Sequence, residues 1–517
     1  MAANLFRHAT FDVHALCQLA SSLREGRPCS CDITQVPADG SLYWAAFLVF
    51  DDGVEWVFRS PRRDGAIRSE RTIQDLLASE AATLKYIKSY SDIPVPEVYA
   101  YRYSSENDIG IPYILMSKAA GFPLSKKWKS LRSHESTLSL KEISKIVSQL
   151  GVITWQLSQL RFLEIGSLFE DNGYQVRSCL SRALVDSERD TLPELPRGPF
   201  TSEREFFDTL VTGLLQHVEC LQLAHHCFFA PCPTRSRYDD DRAYRRACDQ
   251  WNNFVILGSK IDGSDNRVDY TVVGDCLREI VSKWTEEMSR PAWNTGPKMF
   301  PLHHPDLNVN NIFVDDNSNI TCIIDWAFCS SVPLPVLLMT PGLPQSRDQL
   351  ETPLISAFEG ELSRVILLNH RGGPIGAFLH KLWMVQSSRF TSLLCRLASF
   401  DSTGDFYLFH DIWQMSDQNN LDFLTFFRSK QASDHYLQLH KEMKQEDYPS
   451  DLEQETGYFK RDIVSLTVSR KLTLVSEWTC RYQKQDPKGL RRNGNTFVAD
   501  DKLWKWVLES LSQADLA

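Results

Sequence analysis

His303-His304-Pro305-Asp306-Leu307-Asn308-Val309-Asn310-Asn311, followed by Ile320-Thr321-Cys322-Ile323-Ile324-Asp325-Trp326, is the stretch that orders the rest of this chain. Its polar skeleton is His-x-Asp-x-x-x-x-Asn, then a short apolar run that ends on a second Asp. The short interval between Asp306 and Asn311 lets a compact loop bring both side chains to one mouth. Asn311 opens Ile312-Phe313-Val314, which reads as a strand. Asp315 to Asn319 is a polar turn cluster, and Ile320 to Ile324 reads as the returning strand. A hairpin of that length carries Asp325 back to the level of Asn311. Two oxygen-bearing side chains on neighbouring strand ends suit Mg²⁺, which takes a few protein oxygens and completes its octahedron with water and phosphate. The bland alternative is a surface hairpin with incidental acids; the trailing apolar strand and its Asp speak for chemistry.

The same parts in the same order make up the catalytic loop and metal carboxylate of protein kinases. There, one carboxylate orients a hydroxyl nucleophile, while an amide and a second carboxylate hold the Mg²⁺ that neutralises ATP phosphates. Working outward, composition sets the bounds. The chain has 517 residues, 43% hydrophobic and 24% charged, which leaves room for a sizeable core and two or three lobes. A net charge of −10 argues against a nucleic-acid surface. Thirteen scattered cysteines look like reduced thiols, not a disulfide framework. No apolar run is long enough to span a bilayer; the strongest, Val332 to Met339, is short and holds Pro333 and Pro335. The N-terminus lacks a secretory pattern, so the cytoplasm is the expected location. Arg7 and His8 ahead of the first acid, Asp12, leave a weak mitochondrial presequence as the alternative.

Residues 1–37 read as an N-terminal extension with one helix, Val13 to Arg24, and a loop. Leu42 to Phe50, the turn Asp51-Asp52-Gly53 and Glu55 to Arg59 read as a hairpin. Thr72 with Asp75 gives an N-cap pattern for a helix from about Ile73 to Tyr90, whose apolar face is Ile73, Leu76, Leu77, Leu84 and Ile87. Pro112 to Met116 is a further buried strand. After Gly121-Phe122-Pro123 the pattern turns helical. Ser139 and Glu142 form a capping box ahead of Ile143, Ile146, Val147, Leu150, Ile153, Leu157 and Leu160 at helical spacing. Residues 233 to 270 read as a polar insertion. Helical patterns return after Gly376, including Asp462 to Trp478 and Lys502 to Leu511.

His304-Pro305-Asp306 with Asn311 and Ile324-Asp325-Trp326 resembles the aminoglycoside/choline phosphotransferase superfamily, within it the large fungal branch. Glu55 to Pro61, Ser79 to Tyr86, Ile93 to Tyr99, Tyr113 to Lys118 and Gly121 to Leu124 agree with it in order. The similarity covers roughly residues 38 to 335 and is weaker beyond 340. It implies an α+β, two-lobed protein-kinase-like fold. Residues 38–118 would be a small β-rich N-lobe, 119–370 a larger, mostly helical C-lobe, and 371–517 its helical C-terminal part. The resemblance implies Asp306 as catalytic base, Asn311 and Asp325 as Mg²⁺ ligands, and His304 as a brace for the catalytic loop. It also implies that Glu80 pairs with the cation at the end of the preceding strand, and that Met116 to Lys118 form the linker whose backbone holds adenine. Three departures stand out. The strand Lys that touches the α/β-phosphates is Arg59 here. Its charge and planar fork suit phosphate, so the resemblance implies that it works in that place, while beside Arg62 and Arg63 it also reads as a solvated strand-end Arg. The would-be phosphate loop, Asp39 to Trp44, has one Gly and bulky neighbours. Ala327 stands where relatives carry an acid.

Rival signals are weaker. Cys220, His225, His226, Cys227 and Cys232 offer zinc-ligand types, but their spacing fits no zinc knuckle. Cys29-Ser30-Cys31 is too tight for a redox pair and reads as two loop thiols. Trp155, Trp284, Trp293 and Trp504 read as core. No heptad run fixes an oligomeric state. The expectation is therefore an ATP- and Mg²⁺-dependent phosphotransferase acting on the hydroxyl of a small molecule. The alternative is a catalytically silent kinase-like scaffold. A protein kinase is disfavoured, because no Ala-Pro-Glu segment follows Asp325.

Overall fold

The computed structural model describes residues 5–40, 42–62, 68–128, 137–221, 264–288, 299–345, 348–369 and 388–399. It also describes 405–446 apart from 407 and 417–421, and short pieces within 228–229, 240–245 and 497–498. The expected helices Asp462 to Trp478 and Lys502 to Leu511 lie outside these residues, as do Trp293, Trp504, His225, His226, Cys227 and Cys232.

An aromatic-rich hairpin starts the first lobe. Cys29–Cys31 (β1), Ala38–Asp39 (β2), Tyr43–Phe50 (β3), Glu55–Pro61 (β4), Val98–Arg102 (β5) and Tyr113–Ser117 (β6) form one antiparallel sheet, in the order β1-β3-β4-β6-β5 with β2 also on β3. Ala46 faces Phe58 across the β3–β4 ladder, and Gly53 takes φ +81° in the connecting turn, as the Asp-Asp-Gly signal predicts. The Cys29-Ser30-Cys31 segment is a correction: it is an edge strand paired with Leu48 to Phe50, not a loop.

One face of this sheet is covered by the N-terminal segment. Asp12 caps helix α1 (Val13–Leu23), accepting a hydrogen bond from the Ala15 amide at 2.9 Å. Leu5, Phe11, Leu16 and Ala20 are buried with Trp44, Phe58 and Leu115. The Phe11 ring lies 5.2 Å from that of Phe58 and 5.6 Å from that of Trp44. Residues 5–23 are thus part of the small-lobe core. Truncating Phe11 to Ala is expected to cost about 3–5 kcal/mol, because its ring is buried against Trp44 and Phe58. Urea denaturation monitored by tryptophan fluorescence checks it.

Helix α2 (Glu70–Tyr90) starts at Ser69, whose hydroxyl accepts from the Thr72 amide at 3.3 Å. The cap is therefore Ser69 and not Thr72, whose own hydroxyl is bonded to that of Ser69 at 2.9 Å. The helix buries Leu76, Leu77, Leu84 and Ile87 as its spacing predicts, and Glu80 with them. Helix α3 (Leu140–Gln159) carries the full capping box of Ser139 and Glu142. Its Gly151 lies where a Cβ would come within 2.7 Å of the Phe358 carbonyl, so the helix Thr352–Asn369 crosses at backbone distance.

The segment that carries His304, Asp306, Asn311 and Asp325 is built from short strands. Ile312–Val314 pairs antiparallel with Ile320–Ile323 and with Phe122–Pro123, while Phe300–His303 pairs with Arg161–Phe162 and Ser330–Ser331. At Gly121, φ +82°, a Cβ would run into the Val314 carbonyl and the Thr321 hydroxyl, so only glycine lets the chain approach this hairpin.

The chain divides into two compact units, Met1–Thr209 with Glu287–Ser392, and Leu210–Glu286 with Leu393–Ala517. This grouping differs from the division at 370/371 read from the sequence, because Leu210–Glu286 joins the later helices. Within the second unit the Tyr436 hydroxyl donates to Asp275 at 3.0 Å, and Tyr270 meets Phe406 edge-on at 5.1 Å. No described helix is long and apolar enough to cross a membrane.

Candidate active site

The hairpin places its polar ends as its length predicts. Ile312 stands opposite Ile323, and the Ile324 amide donates to the Asn311 carbonyl at 3.0 Å, which sets Asp325 beside the strand that Asn311 opens. The Asn311 amide nitrogen reaches back to the Asp306 carbonyl at 2.9 Å and its carboxylate at 3.4 Å. That orientation leaves the Asn311 side-chain oxygen without a partner among the described residues. Asp306 is further held by Asn308, whose amide donates to Oδ1 at 2.7 Å.

His304 ties the two halves of this loop together. Its Nδ1 accepts from the Asp306 amide at 3.1 Å, and its Nε2 donates to the Ile324 carbonyl at 3.0 Å. Burial lowers its basicity, outweighing the nearby Asp306 and Asp325. A neutral ring with an accepting Nδ1 is the form that can make both bonds. Its face is closed by Trp326, with ring centroids 4.5 Å apart. Asp325 itself takes φ +64°, a left-handed conformation unusual for a residue with a side chain, and the surrounding bonds hold it there.

Arg59 joins this loop to the sheet and to α2. It projects from β4, with one terminal nitrogen on Glu80 and the other on Asp325 at 2.5 Å. Its guanidinium lies 4.1 Å from the centroid of the Tyr43 ring. Burial pushes the Glu80 carboxyl up to about 6, against the pull of Arg59. For Asp325, burial acts upward too, but the Arg59 charge and hydrogen bond overcome it and hold the carboxyl below the usual carboxylate range. A strand cation, an acid on the following helix, and the loop His-x-Asp-x-x-x-x-Asn before a hairpin ending in Asp have thus been brought together. The fold is protein-kinase-like.

Curated relatives of this chain include fungal proteins. A subtelomeric hrmA-associated cluster protein of Aspergillus fumigatus is 26% identical over 309 residues, covering 53% of this chain and 57% of its own. Altered inheritance of mitochondria protein 9, mitochondrial, of Clavispora lusitaniae is 31% identical over 290 residues, covering 52% of this chain and 43% of its own. The chain therefore spans about half the length of the curated relatives it matches. A solved structure described as a fructosamine-3-kinase from Thermobifida fusca aligns with a TM-score of 0.41 at 13% identity, over 77% of this chain and 97% of that one. No family model matches.

The remaining expected residues of the kinase-like site are placed as follows. Met116 is buried in β6 opposite Val57, and the Ser117 amide donates to the Glu97 carbonyl at 2.8 Å. The Lys118 ammonium pairs with Glu55 and lies 5.4 Å from the Phe47 ring centroid, so its side chain follows the sheet. In the would-be phosphate loop, the Gly40 amide donates to the Tyr43 carbonyl at 2.8 Å, and Trp44 is wholly buried, pointing into the sheet core and not into the loop mouth. Sequence reasoning missed two cations. Arg182, from a short helix Arg182–Val185, reaches Asp306 Oδ2 at 3.3 Å, and Arg68 pairs with Asp186 at 2.7 Å. Nothing in the local pattern marks Arg182, which lies far upstream of the residue it touches.

The donor set suits Mg²⁺. Asn311 presents an amide oxygen, and Asp325 keeps Oδ2 free of hydrogen bonds among the described residues, both hard oxygens of the type this ion takes. No group of three or more His, Cys, Asp or Glu side chains with metal-holding geometry occurs among the described residues. The zinc reading rested on Cys220 together with residues outside that set.

Proposed function

We propose that this chain is an ATP- and Mg²⁺-dependent phosphotransferase that moves the γ-phosphoryl group to a hydroxyl of a small molecule. The observation that carries the reading is the convergence of Asp306, Asn311 and Asp325, with Arg59 and Glu80 tied into the same network. Phosphoryl transfer needs in-line placement and charge neutralisation more than covalent chemistry. Asp306 would accept the acceptor hydroxyl's proton at Oδ1 or Oδ2 and fix its direction of attack. His304 holds the Asp306 backbone in place without taking a proton. Asn311 and Asp325 would hold Mg²⁺, which, when bound, offsets phosphate charge. The backbone of Met116 to Lys118 would hold adenine, and Arg59 would stand near the phosphates.

A catalytically silent binding protein is favoured by one observation, the Arg59–Asp325 ion pair, which engages one oxygen of a metal-site carboxylate. The two readings differ in turnover and share nucleotide binding. Mg-ATP is expected to raise the melting temperature by several degrees, since ligand at 100-fold over its Kd adds about 2.7 kcal/mol. EDTA should remove most of that shift. A titration with no shift at millimolar Mg-ATP would sink both readings, and binding without ADP release across an acceptor panel would favour the silent one.

Location follows the relatives only as a proposal. The mitochondrial name of the Clavispora relative favours the second of the two locations read from the sequence. Import with loss of residues 5–23 would remove part of the small-lobe core, so N-terminal sequencing of the chain from fractionated cells is the deciding measurement.

A further inference from the structure

Two arginines stand around one ring close to the Asp306 carboxylate. Phe328, three residues past Asp325 in the sequence, has the Arg182 guanidinium 5.0 Å and the Arg68 guanidinium 5.4 Å from its ring centroid. Phe328 has a left-handed backbone, φ +63°, unusual for a residue with a bulky side chain. Arg68 is anchored through Nε alone, on Asp186 at 2.7 Å. Its two terminal nitrogens have no hydrogen-bond partner among the described residues, although its side chain is only 21% exposed. Arg182 is 34% exposed and bonds Asp306 at 3.3 Å, longer than a charge-assisted bond at its optimum.

An acceptor hydroxyl must come within hydrogen-bond reach of Asp306 to be activated. Whatever part of the acceptor lies next to that hydroxyl would then come beside the Arg182 charge, with the open fork of Arg68 across the same ring. A planar guanidinium fork matches an oxyanion through two parallel hydrogen bonds, and stacking on an aromatic face orients it beforehand. A cationic amine in the same place would face two like charges.

We propose that Arg68 and Arg182 form an acceptor-side oxyanion site, so that the molecule phosphorylated is a hydroxy compound bearing a carboxylate or phosphate close to its reactive hydroxyl. The inference rests on the phosphotransferase reading. It concerns side chains other than those assigned to the nucleotide, Arg59 and the backbone of Met116 to Lys118.

Calorimetric titration of the full chain tests it. Protein saturated with Mg-AMP-PNP is titrated with inorganic phosphate, glycolate, ethylene glycol and ethanolamine. Phosphate binding points to a phosphorylated acceptor and glycolate binding to a hydroxy acid. Either is expected to weaken at least about tenfold in Arg68→Gln and Arg182→Gln, and less in Arg68→Lys, which keeps the charge but loses the fork. An unchanged Mg-ATP melting shift shows that each variant is folded. Ethanolamine as the sole ligand, no anion binding, or equal binding by wild type and variants overturns the inference. Anion binding seen with Mg-ADP but not with Mg-AMP-PNP also overturns it, because the arginines would then hold the transferred group. Failure of the wild type to bind Mg-nucleotide at all would instead refute the phosphotransferase reading on which it stands.

Discussion

Asp306→Ala is expected to lower kcat by about 10³-fold or more while leaving the affinity for Mg-ATP within a few-fold of wild type. General-base positioning supplies about 10²–10⁴-fold in enzymes that use it, and phosphoryl transfer relies on orientation of the nucleophile. The separation of effects follows from the geometry. Asp306 binds protein groups through Asn308, Asn311 and Arg182, whereas the oxygens proposed for the metal belong to Asn311 and Asp325. Removing the carboxylate would thus remove the proposed partner of the acceptor hydroxyl. Asn311 keeps its bond to the Asp306 backbone carbonyl, so its side chain stays aimed. Steady-state ADP release paired with calorimetric Mg-ATP titration checks both halves. Activity equal to wild type refutes the role, and loss of nucleotide binding in step with loss of turnover would make Asp306 a structural residue.

Arg59→Met is expected to destabilise the fold by about 3–5 kcal/mol, the usual cost of leaving one partner of a buried ion pair uncompensated. Glu80 has no side-chain exposure and Arg59 only 14%, so water does not replace the missing guanidinium. The deficit has a direction with pH. Burial already raises the Glu80 carboxyl to about 6, and without Arg59 it rises further. The unfolded chain gives up this proton near the ordinary carboxylate value, while the folded variant keeps it to higher pH. The unfolded state then binds fewer protons, so stability is fullest below the ordinary value and is lost as pH rises through the folded one. The variant should therefore fall further behind wild type at pH 8 than at pH 5 in urea melts. A deficit that shrinks as pH rises would mean that Glu80 is not the charge Arg59 compensates. Arg59→Lys keeps the charge but cannot set separate nitrogens on Glu80 and Asp325 in one planar fork, so it should fold and turn over about tenfold more slowly.

How much of this was legible in the sequence varies with the range of the interactions. The hairpin from Ile312 to Ile323 could be read because alternation, a polar turn and a short loop are local signals. The capping box at Ser139 is equally local and holds in detail. Ser69 was passed over for Thr72 because both are good capping residues close together, and only the backbone, extended at Ser69, decides between them. The N-terminal helix was legible as a helix, yet its incorporation into the sheet core was not, since Leu5, Phe11 and Leu16 form an apolar face without stating what it covers. Arg182 and Arg68 were out of reach for a different reason. Their partners, Asp306, Asp186 and Phe328, are brought to them only by the fold. Glu80 and Arg59 are also distant from Asp325, and a resemblance, not periodicity, assigned the first pair.

That one guanidinium bridges Glu80 and a carboxylate 266 positions further along has a consequence for synthesis. A ribosome releases the whole β-rich lobe long before residue 325 exists, so the nascent lobe carries a buried acid and a cation whose second counter-charge has yet to be translated. Completion waits on sequence-distant closure, which is slow. Chaperone occupancy on this chain should accordingly persist until the hairpin has left the exit tunnel.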